Sequence, residues 1–384
     1  MGDDTKRERL AAAVAACERV LTRGPQTGVG ERLARLVAEG AAAYDVTEPV
    51  DIYGDGVVAA LEDRVADLLG TEAAAFFPTG TMAQQVALRT WAGRTGNPTV
   101  ALHPQAHPEV HERDAVKVVS GLRTVHPTTA PRLPTPDEVR DFEEPFGTLM
   151  IELPLRDPGF VLPTWDELSD TVAAARERDA VVHFDGARLW ECTPHFGRPL
   201  PEIAGLADSV YVSFYKSLEG ISGAALAAPA DVVAEAKTWR HRYGGLLFQQ
   251  FPAALAALAG LHTVLPRLPS YVAHAKPVAR ALREGLAEAG VPWLRVHPQE
   301  PHTHQFQLWL PYPADVLDEA VLRQAEETGT SLFGRTTFHE PGLPGLSMTE
   351  VTVAGPALEW SEQDVRDAAA DFARRLPGLE ALEP

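Results

Sequence analysis

The sequence predicts an α/β protein, with a large domain on a mostly parallel sheet and a smaller α+β domain after it. Three observations carry this. Short apolar runs alternate with helical stretches through the first two thirds of the chain. Several of these runs are apolar on both faces, the pattern of strands buried inside a parallel sheet. Around Leu265–Pro269 prolines break the order, and beyond them strands and helices mix. The 384 residues suffice for one large and one smaller domain. The expected divisions are an N-terminal helical segment at 1–50, a large domain at 51–265 and a small domain at 266–384.

Taken in order, residues 6–23 read as an Ala-rich amphipathic helix stopped at Gly24-Pro25, and 31–40 as a second helix. A third spans Val57–Leu69, with Val57, Val58, Leu61, Val65, Leu68 and Leu69 on one side and Gly70 as its stop. Strands are expected at Ala73–Phe77, Thr99–Leu102, Val116–Val119, Leu149–Leu153, Val181–Phe184, Val210–Phe214 and Ala224–Ala228. Helices are expected at 231–242 and 253–264. In the small domain, strands fall at Trp293–Val296, Gln305–Leu310, Ser331–Phe333 and Glu350–Val353, among helices at 270–289, 314–328 and 361–375. The chain ends are expected to return to one another, which would bring the N-terminal helices against the small domain.

Composition narrows the function. The formal net charge of -19 repels nucleic acid and anionic membrane, so neither is an expected partner. No run approaches the roughly 18 apolar residues of a membrane span. The first ten residues lack the apolar core of a secretory signal. Two cysteines, Cys17 and Cys192, make neither a disulfide framework nor a metal spacing, which suits a reduced cytoplasmic setting.

Three segments carry chemistry. In Val181-Val182-His183-Phe184-Asp185-Gly186-Ala187-Arg188 an apolar strand ends in an acid and a glycine turn. Ligands of open α/β sheets bind outside the carboxyl ends of strands. In Ser209–Lys216 another strand ends near a lysine, a candidate amine nucleophile once desolvation lowers its pKa. In Phe76–Ala83 a strand runs through Pro78-Thr79-Gly80-Thr81 into a helix, whose free N–H groups form an anion cradle. Singly, each has a plain structural reading: a capping Asp, a solvated lysine, a Thr N-cap. Together they match pyridoxal 5'-phosphate (PLP). The cradle takes the phosphate, the acid keeps the pyridine nitrogen protonated, and the lysine forms the Schiff base.

At this point the chain resembles the threonine aldolase and β-eliminating lyase group of fold-type I PLP enzymes, whose fold is that of aspartate aminotransferase. The resemblance spans about Asp51 to Pro252. It rests on Tyr53-Gly54-Asp55, Pro78-Thr79-Gly80-Thr81, Ala106-His107, His183-Phe184-Asp185-Gly186-Ala187-Arg188, Lys216 and Gly244-Gly245. It implies a cytoplasmic PLP-dependent lyase of amino-acid metabolism that cleaves the Cα–Cβ bond of a β-hydroxy-α-amino acid. Lys216 would hold PLP, Asp185 would pair with its ring nitrogen, and Gly80, Thr81 and Ser213 would complete the cofactor site. His107 would stack on the ring and act as an acid–base group, with Glu112 orienting it. His111 stands where an aromatic residue is common. Arg188 would meet the cofactor or the substrate carboxylate. Tyr53 and Arg335 are further candidates for the substrate, and Tyr53 would reach a neighbouring subunit's site in a homodimer or homotetramer.

The carboxylate-holding groups of that family are altered. The usual Arg-Ser-Asp-Thr opening is reduced to Thr22-Arg23, Phe248 replaces an arginine after Gly244-Gly245, and Glu350 stands where an arginine is expected. Glu152 persists, but Leu153-Pro154 follow it in place of polar residues. The alternatives are therefore β-elimination on a specialised amino acid and a PLP-binding protein without catalysis. A metal enzyme using His103, His107, His111, His302 and His304 is a weaker reading, because no acidic ligand pattern accompanies them. No metal is expected.

Overall fold

The computed structural model describes residues 3–378, with side chains from Lys6 onward. It divides into two units. The larger is Gly30–Arg267, and the smaller joins the described residues up to Val29 with those from Leu268 onward. The segment 1–50 thus divides between them: the helix Asp3–Ala15 lies in the small unit and most of Val29–Ala43 in the large one.

The large unit holds a seven-stranded sheet. Its strands are β1 (Ala73–Phe77), β2 (Thr99–Ala101), β3 (Arg123–Val125), β4 (Thr148–Glu152), β5 (Val181–Gly186), β6 (Ser209–Ser213) and β7 (Ala224–Ala228). Their order is β1-β7-β6-β5-β4-β2-β3. Only β7 runs antiparallel to its neighbours. This is the α/β architecture expected, and the largely apolar runs form its interior strands: every residue of β4, β6 and β7 is buried. Helices Gly56–Leu69, Gly80–Thr95, Trp165–Arg176, Ala230–Arg242 and Phe251–Thr263 belong to the same unit.

One buried charge fixes the approach to the cradle. Glu62 accepts from the Phe76 N–H (2.8 Å) and from Arg240 Nη1 (2.9 Å), and it pairs with Lys237. Arg240 also donates to the Phe76 carbonyl. A buried carboxylate persists only when paired in this way, and its partners lock β1 between two helices.

The small unit contains β8 (Arg295–His297), β9 (Gln305–Leu310) and β10 (Ser347–Thr352) in the antiparallel order β10-β9-β8. Its core gathers Phe306, Phe333 and Phe372, with Val14 and Leu21 from the chain start. Arg9 is bonded to Glu326, holding Asp3–Ala15 beside the helix Ala314–Thr328.

Several expectations fail for identifiable reasons. The helix expected over 6–23 ends at Ala15, because Arg19–Val20 pair in parallel with Thr330–Ser331. Val116–Val119 is no strand. Ala115–Val118 is a helical turn closed by Gly121 in the left-handed region, whose N–H reaches Lys117 O, while Leu122 N–H reaches Val116 O. A four-residue apolar run does not reveal its period, and the real strand, β3, follows it. The prolines at 265–269 do separate two helices: one ends at Thr263, a 3-10 turn covers Leu265–Arg267, and Leu268–Glu288 then begins and accommodates Pro277 internally. The stretch Phe251–Glu288 is long and apolar enough to cross a membrane by length and composition. More than half of its apolar window is buried inside the protein, as in a core helix.

Candidate active site

The carboxyl edge of the sheet gathers the reactive groups of the large unit. In register, Glu152 of β4 stands beside Asp185 of β5, and Asp185 beside Tyr211 of β6. Register partners in adjacent parallel strands point to one face, so two carboxyls and a phenol form a row. Asp185 is 2 % exposed and Glu152 5 %. Asp185 accepts the Ala187 N–H at 3.1 Å. Burial raises both carboxyls: Glu152 is pushed up to about 7, with the charge of Asp185 adding to the burial. Asp185 is raised by burial and drawn back by Lys216.

Lys216 lies in the loop between the antiparallel strands β6 and β7. The loop is tight: Phe214 N–H bonds Gly223 O, Gly220 N–H bonds Phe214 O, and Glu219 N–H bonds Lys216 O. A Cβ at Gly260 would meet Leu218 O at 2.3 Å, so the helix Phe251–Thr263 presses directly on this loop. The half-buried amine is lowered to about 8. Burial is the main cause, followed by the positive charge of Arg188; Asp185 and Glu152 oppose it.

Arg188 follows the Asp185-Gly186-Ala187 turn. Its guanidinium lies 5.2 Å over the ring of Phe160, and its buried Nε has no hydrogen-bond partner among the described residues. Ser213 donates to Ala187 O at 2.7 Å, tying the two strand ends together.

Gly80 opens the helix Gly80–Thr95, where the first N–H groups lack intrahelical acceptors. Thr79 caps it by accepting the Met82 N–H at 3.2 Å, and Thr81 is exposed. A Cβ at Gly80 would stand 2.1 Å from the Tyr211 hydroxyl oxygen. Glycine is therefore required here by the phenol of β6, a contact that the local motif does not reveal.

His107 sits just beyond β2. Its N–H donates to Glu152 Oε2 at 2.8 Å, and its Nδ1 is 3.3 Å from Glu112 Oε1. The Glu112 side chain is 1 % exposed and is held by Gln85 Nε2. The His111 ring lies 5.2 Å from that of His107, with its Nε2 3.0 Å from Asp157. His183 is fully buried between Gln84 and Ser209, where burial drives its pKa to about 3 and keeps it neutral. That makes it a structural member of the H-x-D-G-A-R segment.

Thus Lys216, Asp185, Glu152, Arg188, His107 and Glu112 meet at one sheet edge. Tyr53 is exposed in a left-handed backbone conformation, with its ring against Phe248. Arg335 belongs to the small unit, where Nε donates to Gly24 O. In that unit Glu350 pairs with Arg23 at 3.6 Å. Among the described residues no three His, Cys, Asp or Glu side chains are grouped to hold a metal ion. His103 faces Ala130 O and His304 faces Val353 O, so main-chain partners occupy both. Tyr211, Phe160 and Arg156 were not singled out in the sequence. Tyr211 lies in the middle of β6 and the other two on the loop that leaves β4, and that placement is the only signal they give.

Residues 41–308 match the family of β-eliminating lyases. The chain is 31 % identical over 245 residues to the low specificity L-threonine aldolase of Escherichia coli K12, covering 62 % of this chain and 73 % of that one. It is 28 % identical over 306 residues to low-specificity L-threonine aldolase 1 of Arabidopsis thaliana, covering 73 % and 80 %. A Listeria monocytogenes crystal structure assigned as an L-allo-threonine aldolase superposes with a TM-score of 0.86. Its identity is 33 %, over 97 % of this chain and 100 % of that one. Serine palmitoyltransferase from Sphingomonas wittichii, at 19 % identity and a TM-score of 0.63 over 88 % of this chain and 82 % of that one, shares the fold.

Proposed function

The chain belongs to the β-eliminating lyase family, and we propose that it is a PLP-dependent lyase performing aldol-type Cα–Cβ cleavage of a β-hydroxy-α-amino acid, giving an amino acid and an aldehyde. The observation that carries this is the row of Glu152, buried Asp185 and Tyr211 across β4, β5 and β6, with Lys216 in the tight loop after β6 and within electrostatic reach of Asp185. The residues fit the cofactor. Asp185 is a strand-end carboxyl that a ring N–H⁺ would restore to its ionised form. The N–H groups at Gly80 suit a phosphate, and Arg188 Nε is a buried donor awaiting an acceptor. When bound, PLP supplies the electron sink that stabilises negative charge at Cα.

The remaining work falls to the protein. Burial lowers the Lys216 amine and so favours its neutral, nucleophilic form. His107 Nδ1 lies 3.3 Å from the buried Glu112; a proton held on that side would leave Nε2 as the lone pair that accepts the β-hydroxyl proton. Glu152 holds the main chain of His107, so the imidazole is fixed from both ends. Arg188 orients the carboxylate end of the substrate.

The same reading includes a homodimer or homotetramer with shared sites. Ile52, Tyr53, Leu247 and Phe248 are exposed, and Tyr53 N–H → Phe248 O joins their two segments into one apolar surface. Such a patch is characteristic of an interface. The free thiols Cys17 and Cys192 fit a cytoplasmic setting.

The test is the purified protein with PLP and L-threonine or L-allo-threonine. Glycine and acetaldehyde are expected, together with a visible PLP band that Lys216→Ala removes. A keto acid and ammonia instead would sink the aldol reading in favour of elimination. An unchanged band in Lys216→Ala would refute the lysine's role.

A further inference from the structure

A second guanidinium stands at this site. Arg156 lies in the loop that leaves β4, and that loop is unusually constrained. Leu155 and Val161 exchange both main-chain hydrogen bonds at 3.0 Å. Inside the closure the N–H groups of Gly159 and Phe160 both reach Arg156 O, at 2.8 and 3.0 Å. Phe160 is held at φ 57, a left-handed conformation that disfavours any residue with a Cβ and persists only where the surroundings enforce it. Its ring is fully buried and carries Arg188 on its face at 5.2 Å. The loop thus contains one arginine and supports the other.

The same loop is tied to the reactive groups. Arg156 N–H donates to Glu152 Oε1 at 3.2 Å, while the other Glu152 oxygen takes His107 N–H. Arg156 Nη1 lies 3.3 Å from Asp157 Oδ1 and 3.3 Å from His111 Nε2, and the His111 ring stands beside that of His107. After burial, the charges of Arg188 and then of Arg156 press the Lys216 amine downward, so both cations lie within electrostatic reach of it.

We propose that Arg156 acts with Arg188 to hold the substrate α-carboxylate, the loop 155–161 serving as the carboxylate clamp of this chain. The inference rests on the proposed lyase reaction, because an amino-acid substrate is what brings that carboxylate to Lys216. A guanidinium fork matches a carboxylate in bidentate geometry, which a point charge does not. The clamp would restrict the enzyme to amines that carry a carboxylate on the carbon bearing nitrogen.

The holoprotein is titrated with glycine and with 2-aminoethanol, following the PLP absorption band, for wild type, Arg156→Gln and Arg156→Lys. Arg156→Gln is expected to raise the glycine Kd about 10- to 100-fold, the range for losing a charged hydrogen-bond partner. Arg156→Lys recovers part of this, and 2-aminoethanol binding changes less than about twofold. Equal weakening of both amines would assign Arg156 a structural role and overturn the clamp, as would a glycine Kd unchanged in Arg156→Gln. A wild-type holoprotein that ignores glycine overturns the proposed reaction and the clamp with it. A glycine-responsive wild type with an unaffected variant overturns the clamp alone.

Discussion

Replacing Gly80 by alanine tests how the cofactor cradle is built. The new methyl would sit 2.1 Å from Tyr211 Oη and 2.9 Å from Tyr211 Cζ, against an ordinary contact of about 3.4–4 Å. Tyr211 cannot retreat easily, because it is 3 % exposed and fixed in β6 between two strands. Overpacking of this kind costs about 1–3 kcal/mol. At about 2–4 °C per kcal/mol, the apoprotein Tm should fall by about 2–12 °C. Displacing the helix start also misaligns N–H groups that favour an anion by about 1 kcal/mol, so PLP affinity should fall about fivefold. Tyr211→Phe removes the clashing oxygen together with its hydrogen bond to Tyr215, a loss of about 1 kcal/mol on its own. In the double variant the methyl then meets carbon at 2.9 Å, so its cost falls. The double-mutant cycle should show about 1 kcal/mol or more of favourable coupling. Thermal unfolding of the four apoproteins measures it. Additivity within about 0.5 kcal/mol, or a Gly80→Ala protein with wild-type Tm, would refute the claim that Tyr211 makes this position a glycine.

Two further outcomes follow from the same geometry. Lys216 is lowered to about 8 by burial and then by Arg188, so its reactive neutral form grows as pH rises through that value. Removing the cation in Arg188→Gln raises the amine, and the pH midpoint for PLP capture by apoprotein should move up by about 0.5–1 pH unit. Arg188→Lys keeps the charge and the midpoint; no movement in the Gln variant would disprove the electrostatic link. Phe248→Asp places a charge on the exposed surface shared with Tyr53. Light scattering should report a multiple of the 41.5 kDa chain mass for wild type and a smaller species for the variant, and a monomeric wild type would defeat the shared-site reading.

The sequence by itself determined the α/β class and the positions of most strands, because strands buried on both faces are largely apolar and the chain states this locally. It also marked Asp185, Lys216 and the Gly80 turn, since strand ends and helix starts are local events with local signals. It misread Val116–Val119, where four apolar residues fit either period and the deciding feature was the left-handed Gly121 just beyond. Tertiary structure alone decided the rest. That Glu152 stands beside Asp185 and that Phe160 lies under Arg188 depend on strand register and loop closure between segments tens of residues apart. The carboxylate-holding groups looked lost in the sequence because an arginine four residues past a strand end has no pattern of its own. It comes beside His111 only when the loop 155–161 closes.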